Sequence, residues 1–168
     1  MKLPEAKAQF IQTWGLLGAQ WGVNRTMAQI HALLLIAPEP LSAEDIMSGL
    51  DISRGNVNMN VRELMNWGIV EKVLVPGERK EFFVAEKDIW KVGTAIARER
   101  KKRELDPILK VLLQLSKVEG DPKDKNVRAF RDTMQNIQKF AHQTDAALNA
   151  FIKSEENWFY STLMKVIR

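Results

Sequence analysis

The apolar positions of the chain keep a helical period at both ends and switch to an extended one in the middle. Phe10, Trp14, Leu17 and Trp21 recur at helical spacing and predict the apolar face of a first helix, which Gly22 closes. Asn24 is placed to cap the next helix. Its apolar residues Ile30, Leu33, Leu34 and Ala37 run up to Pro38 and Pro40, where a helix must stop. Two short helices on one plan follow. Ser42 and Ser53 each stand where a side-chain oxygen caps a helix start, and each cap contributes about 1 kcal/mol. Leu41 with Ile46, and Ile52 with Val57, occupy the hydrophobic-staple positions around those caps. Gly49-Leu50-Asp51 between them reads as the glycine-containing turn of a helix-turn-helix.

After Gly68 the run Ile69 to Val75 is rich in β-branched residues, Pro76-Gly77 is a turn dipeptide, and Lys80 to Val84 is a second extended run. A hairpin directly behind a helix-turn-helix outlines a winged helix. From Asp88 the period is helical again. Leu105, Ile108, Leu112 and Leu115 form one stripe, Phe130, Met134, Ile137 and Ala141 another, and Phe159, Leu163 and Val166 a third. Gly120-Asp121-Pro122 separates the first two stripes, and a break is expected near Gln143 to Asp145. The expected fold class is mainly α with a small β-hairpin wing. Residues 1–92 form a winged helix-turn-helix domain whose first helix can join a dimer interface, and residues 93–168 a helical arm for dimerisation and effector sensing.

Charge sharpens the picture. Residues 53–103 carry 12 basic and 7 acidic side chains, +5 net, whereas residues 1–52 sum to −2 and residues 104–168 to +1. A basic middle between near-neutral flanks points to an anionic partner, nucleic acid being the commonest. There is no cysteine, which excludes disulfide scaffolds, thiolate catalysis and cysteine-held metals. His31 and His142 are the only histidines and lie far apart, so no metal site and no cofactor are expected. His31, inside an apolar helix, reads as a hydrogen-bonded core residue. No Ser-His-Asp arrangement, glycine-rich phosphate loop or catalytic carboxylate pair is present, so no enzyme is expected. The first residues, Met1-Lys2-Leu3-Pro4-Glu5, lack the apolar run of a signal peptide, and the run Ala32 to Ala37 is far too short to span a bilayer. A cytoplasmic protein with no membrane partner is the expectation.

Trp21-Gly22, Arg25-Thr26, Ile30-His31-Ala32-Leu33-Leu34 and Glu39-Pro40-Leu41-Ser42 together resemble the GbsR branch of the MarR-like transcriptional regulators. The stretch from Ser53 to Leu64 is similar to that branch's recognition helix, and Pro76-Gly77-Glu78-Arg79-Lys80 to its wing. The likeness covers roughly residues 14–92 and departs at Asn24 and Asn58, where proline and serine are expected. It implies a regulator, a repressor in one reading, that binds double-stranded DNA as a homodimer on a palindromic site and can answer to a small-molecule effector.

The chemistry of these positions fits. Val57, Val61 and Leu64 share one helical face and should pack inward, turning Arg54, Asn56, Asn58, Met59 and Arg62 outward. Arginine matches guanine O6 and N7, asparagine matches adenine N6 and N7, and a helix entering the major groove offers its first residues to the bases. Arg54 is therefore the leading base reader. Ser53 caps the helix start, where Gly55 permits close approach of a phosphate. Arg79 and Lys80 at the wing tip, with Lys72 on the strand before it, are candidate backbone contacts. The cluster Arg98, Arg100, Lys101, Lys102, Arg103 reads equally as a phosphate contact or a solvated face. The resemblance also invites a search for an aromatic cage around a cationic effector, for which Trp14, Trp21, Trp90 and Trp158 are the available parts, with Phe10 and Tyr160 nearby in sequence, although such a stripe is more often core. The alternative function is a winged-helix module that docks its basic face on an acidic protein partner.

Overall fold

The computed structural model describes residues 1–153 of the 168. Two compact units divide the chain, Met1–Val92 and Gly93–Arg168. In the first, α1 (Leu3–Gln20) and α2 (Arg25–Ile36) are followed by β1 (Leu41–Ser42), α3 (Ala43–Leu50), α4 (Arg54–Asn66), β2 (Val70–Val73) and β3 (Phe82–Ala85). Helix α5 (Ile89–Arg100) runs through the division and leads to a π-helical turn (Lys101–Leu105), α6 (Asp106–Leu115) and α7 (Lys125–Lys153).

The core of the first unit forms around α2. Ile30 and Ala32 are completely buried and Leu34 almost so, and α2 touches α1, α3, α4 and β3. Burying each such large aliphatic side chain contributes about 1.5–3 kcal/mol. Asn24 caps α2 by accepting the Met27 N–H at 3.0 Å. At the other end the Lys87 ammonium donates to the carbonyls of Leu34, Leu35 and Ala37 at 2.7, 2.8 and 2.9 Å, filling the positions left open where proline ends the helix. Desolvation in this position lowers the Lys87 pKa.

Helix α1 lies close against α2 because two glycines face it. A Cβ on Gly15 would meet the Gln29 side chain at 2.6 Å, and one on Gly18 would meet the Ala28 Cβ at 2.6 Å. The flexible Gln29 can yield, but Ala28 on a packed helix cannot. Trp21, expected to continue the stripe of α1, instead forms its C-cap and is 54% exposed. The buried face of α1 is carried by Ile11 and Gly15.

Ser42 caps α3 in a reciprocal box: it accepts the Asp45 N–H at 3.2 Å while the Asp45 carboxylate accepts the Ser42 N–H at 2.8 Å and its hydroxyl at 2.6 Å. These bonds lower the Asp45 pKa. The α3–α4 turn differs from expectation. Gly49 and Leu50 belong to α3, and the left-handed position falls on Asp51, φ 53°, a residue type that tolerates it. Gly49 serves packing instead, since a Cβ there would meet Leu33 Cδ2 at 3.1 Å.

The wing is a three-stranded antiparallel sheet, order β1-β3-β2, where only a hairpin was expected. Val70 pairs with Ala85 and Val73 with Phe82, while Leu41 pairs with Phe83 from the other side. In the second unit α7 runs unbroken through Gln143 to Asp145, the expected break. The turn Lys101–Leu105 places the Lys101 ammonium 2.7 Å from Asp106 and 3.0 Å from Asp145, and the two carboxylates raise its pKa. Trp158 and the stripe from Phe159 to Val166 lie outside the described residues.

Gly18→Ala adds a methyl with nowhere to go. Its overpacking cost of about 1–3 kcal/mol outweighs a helix-propensity gain of up to about 1 kcal/mol. Urea denaturation should show a lower midpoint with an unchanged slope.

Candidate nucleic-acid interface

Helix α4 is fixed by its inner face and its cap. Val57, Val61 and Leu64 are 0, 2 and 1% exposed, and the Ser53 hydroxyl accepts the Asn56 N–H at 3.3 Å. Asn60 is buried as well, its side chain donating to the Asn56 carbonyl one turn back at 2.8 Å. That bond gives the buried amide a donor contact to the helix backbone. Opposite this face, Arg54, Asn56, Asn58, Met59 and Arg62 are all exposed, Met59 at 61%. Around Gly55 there is open space: a Cβ would find only its neighbour Ser53 Oγ, at 3.9 Å. No packing demand of the described chain explains glycine at this position.

Two of the outward cations are already engaged. Arg54 Nη2 donates to Glu44 Oε1 at 2.6 Å, and Lys72 Nζ lies 2.8 Å from Glu81 Oε1 across the β2–β3 pair. The Glu44 carboxyl is lowered from its ordinary value, chiefly by its own backbone N–H, then by the Arg54 hydrogen bond, with the Lys80 charge contributing. The Lys80 charge also contributes to the lowering of the Asp45 pKa, after its hydrogen bonds to Ser42. Arg79 and Lys80 are exposed beside the Pro76-Gly77 turn, where Gly77 takes φ 86°. Between α4 and the wing lies a cleft of about 290 Å³ lined by Asn58, Val61, Arg62, Met65, Lys72, Glu81 and Phe83. One side is helix, the other strand. Asn58, Arg62 and Met65 of α4 are thus brought to one cleft with Lys72.

The tryptophans are placed differently from one another. Trp14 is half-buried, its indole N–H donating to His31 Nδ1 at 3.3 Å and its ring 5.5 Å from Phe10. Trp21 is the exposed C-cap of α1, and Trp90 is half-buried in the first turn of α5. His31 is 2% exposed and its Nε2 has no hydrogen-bond partner among the described residues. Burial first, and the Lys87 charge second, lower its pKa from 6.5 to about 4. In the basic cluster, Arg100 pairs with Glu104 at 3.0 Å, Arg103 with Glu99 at 3.6 Å and Lys101 with two aspartates. Sequence reasoning missed Glu44, Asn60 and Lys87. Glu44 stands ten positions before its arginine, and only the crossing of α3 and α4 makes them neighbours.

A capped helix-turn-helix with a short antiparallel wing, its second helix turned outward and cationic, defines the winged helix-turn-helix class. Within that class, residues 21–81, from the end of α1 to the wing, match the MarR family model. It is 24% identical over 131 residues to the HTH-type transcriptional regulator MmpR5 of Mycobacterium tuberculosis, covering 77% of this chain and 79% of that protein. It is also 24% identical over 143 residues to the HTH-type transcriptional repressor GbsR of Bacillus subtilis, covering 85% of this chain and 68% of that protein. A solved structure described as a transcriptional regulator shares the fold, with TM-score 0.57 and 21% identity over 88% of this chain and 99% of its own. Among the described residues no helix is long and apolar enough to cross a membrane, and no cluster of ligating side chains could hold a metal.

His31 makes stability depend on pH with a definite sign. Its folded pKa lies below its ordinary value, so only the unfolded chain takes up the proton between pH 6.5 and about 4. Stability should be full above that window and fall by about 3 kcal/mol across it. His31→Gln should remove that part of the slope in denaturation curves taken from pH 7 down to 4.

Proposed function

We propose that the chain is a DNA-binding transcriptional regulator that acts as a homodimer on a palindromic operator. The observation that carries the reading is the outward face of α4. Arg54, Asn56, Asn58 and Arg62 are exposed there, beside a cationic wing tip and opposite a fully packed core face. The MarR-family match and two relatives named as transcriptional regulators support it, and the family is one of DNA-binding proteins without catalytic activity.

Within this reading Ser53, Gly55 and Asn56 form the helix start that meets a phosphate, Arg54 reads a guanine, and Asn58, Met59 and Arg62 face the neighbouring bases. Lys72, Arg79 and Lys80 hold the backbone from the wing. A helix of this size spans only a few base pairs, so two copies with half-sites about 34 Å apart are needed for useful discrimination. The second unit supports the dimer. Ile108, Val111 and Leu113 on α6, and Phe130, Ile137 and Phe140 on α7, remain between 39 and 70% exposed among the described residues. Apolar side chains of that number on one helical arm call for a covering surface. Residues 93–168 would then form the dimer arm. Control by a small-molecule effector would act through half-site spacing, and requires different affinities for the two spacings.

In vitro selection from duplexes with a randomised central segment, at defined salt, tests the reading. A palindromic consensus is the expected result; retention of no duplex, with capture of an acidic protein instead, overturns it. Against the selected site, Arg54→Ala should cost about 1–3 kcal/mol and little on unselected duplex, whereas Arg79→Ala should weaken both alike and flatten the salt dependence. Gly55→Ala should leave the fold as stable or more so, by up to about 1 kcal/mol, while weakening DNA binding.

A further inference from the structure

We propose that Glu44 is a positioning residue for base reading: through the α3–α4 crossing it holds the Arg54 guanidinium in one direction, sacrificing some DNA affinity for choice of base. The inference rests on the DNA-reading role of α4 and deepens it by naming what aims its leading reader.

Glu44 is in the first turn of α3 and Arg54 is the first residue of α4, so the pair joins the starts of the two helices of the motif. The contact is Arg54 Nη2 to Glu44 Oε1 at 2.6 Å, with side chains 60% and 42% exposed. Its own backbone N–H, first, and Arg54, second, favour the charged form of the Glu44 carboxylate. An arginine at a helix start can otherwise sweep a wide arc, and Arg54 makes no other ion pair with the described residues. One Nη2–H is used on the carboxylate. The rest of the guanidinium edge stays free, and a guanine needs only two parallel N–H groups.

In solvent such an exposed pair contributes little to stability. Inside a groove, with water and salt displaced, the same pair strengthens, so its orienting effect is largest when the helix is docked. The carboxylate also has a cost. It sets a negative charge close to where phosphates would lie, on the side of the wing cation Lys80. A purely adhesive surface would not place an acid there; a discriminating one gains from it, because it penalises poses in which Arg54 turns to the backbone.

The test uses the full chain, the duplex enriched by the wild-type protein from a randomised library, and the unselected library. Glu44→Ala should bind the library more tightly and lower the enriched-to-library affinity ratio by about tenfold. The relaxation should fall at the base pair that Arg54→Ala relaxes. Glu44→Gln keeps an acceptor for Arg54 without the charge, so it should hold the ratio within about threefold of wild type while also tightening library binding. Adding Glu44→Ala to Arg54→Ala should lower the ratio no further. An unchanged ratio in Glu44→Ala, or equal losses in the alanine and glutamine variants, overturns the positioning role and leaves α4 as the reader. A wild-type chain that enriches no duplex overturns the DNA-reading role itself.

Discussion

The burial of α2 is the constraint on which the rest of the first unit depends. Ile30, Ala32 and Leu34 leave this helix no solvent face around its middle, so α1, α3, α4 and β3 must each find a side of it. Gly15 and Gly18 let α1 approach on one flank, and α4 brings Val57, Val61 and Leu64 onto another. Lys87, from the segment after β3, closes the helix by donating to three of its last carbonyls. Once α2 is enclosed in this way, the direction of α4 is no longer free. Its polar residues face outward because its apolar ones are committed inward.

That commitment separates stability from recognition along a single helix. The Ser53 cap and the buried Asn60 amide satisfy polar groups within the protein, while Gly55, Asn56 and Asn58 do nothing for packing and lower helix propensity. Residues kept against their local cost, on the exposed side only, are what a binding face looks like in energetic terms. The half-buried Trp14–His31 pair is the reverse case. A ring and a hydrogen bond stabilise the α1–α2 contact, at the cost of an imidazole that cannot readily be protonated and an Nε2 without a partner among the described residues.

Much of this was legible in the chain because capping and stapling are local. Asn24, Ser42 and Ser53 act within three residues of themselves, and each accepts the backbone N–H expected of it. What escaped the pattern is what depends on distant neighbours. Strand β1 has two residues, too few to display an alternation, and exists because Phe83 and Phe82 of β3 present an edge to it. The left-handed turn residue is Asp51 rather than the nearby Gly49, since Gly49 is needed against Leu33. Helix α7 continues past Gln143 to Asp145, with Asp145 drawn to Lys101 far back in the chain. Of the recognition face, the residue types could be read directly. That Arg54 and Lys72 would each meet a glutamate could not, because those pairings are products of the tertiary crossing and the strand register.

These pairings also redistribute the basic middle of the sequence. In the stretch after the wing, Arg100, Lys101 and Arg103 each lie against carboxylates of their own unit, so that cluster is largely neutralised where it stands. In the first unit Arg62, Arg79 and Lys80 make no ion pair with the described residues, and Arg54 and Lys72 face single carboxylates in solvent-exposed contacts. Exposed pairs exchange partners at little cost, whereas a lysine held between two aspartates does not. Arg62, Arg79 and Lys80 thus keep their charge open to solvent beside the outer face of α4 and the wing, the same surface that the packing of α2 turns outward.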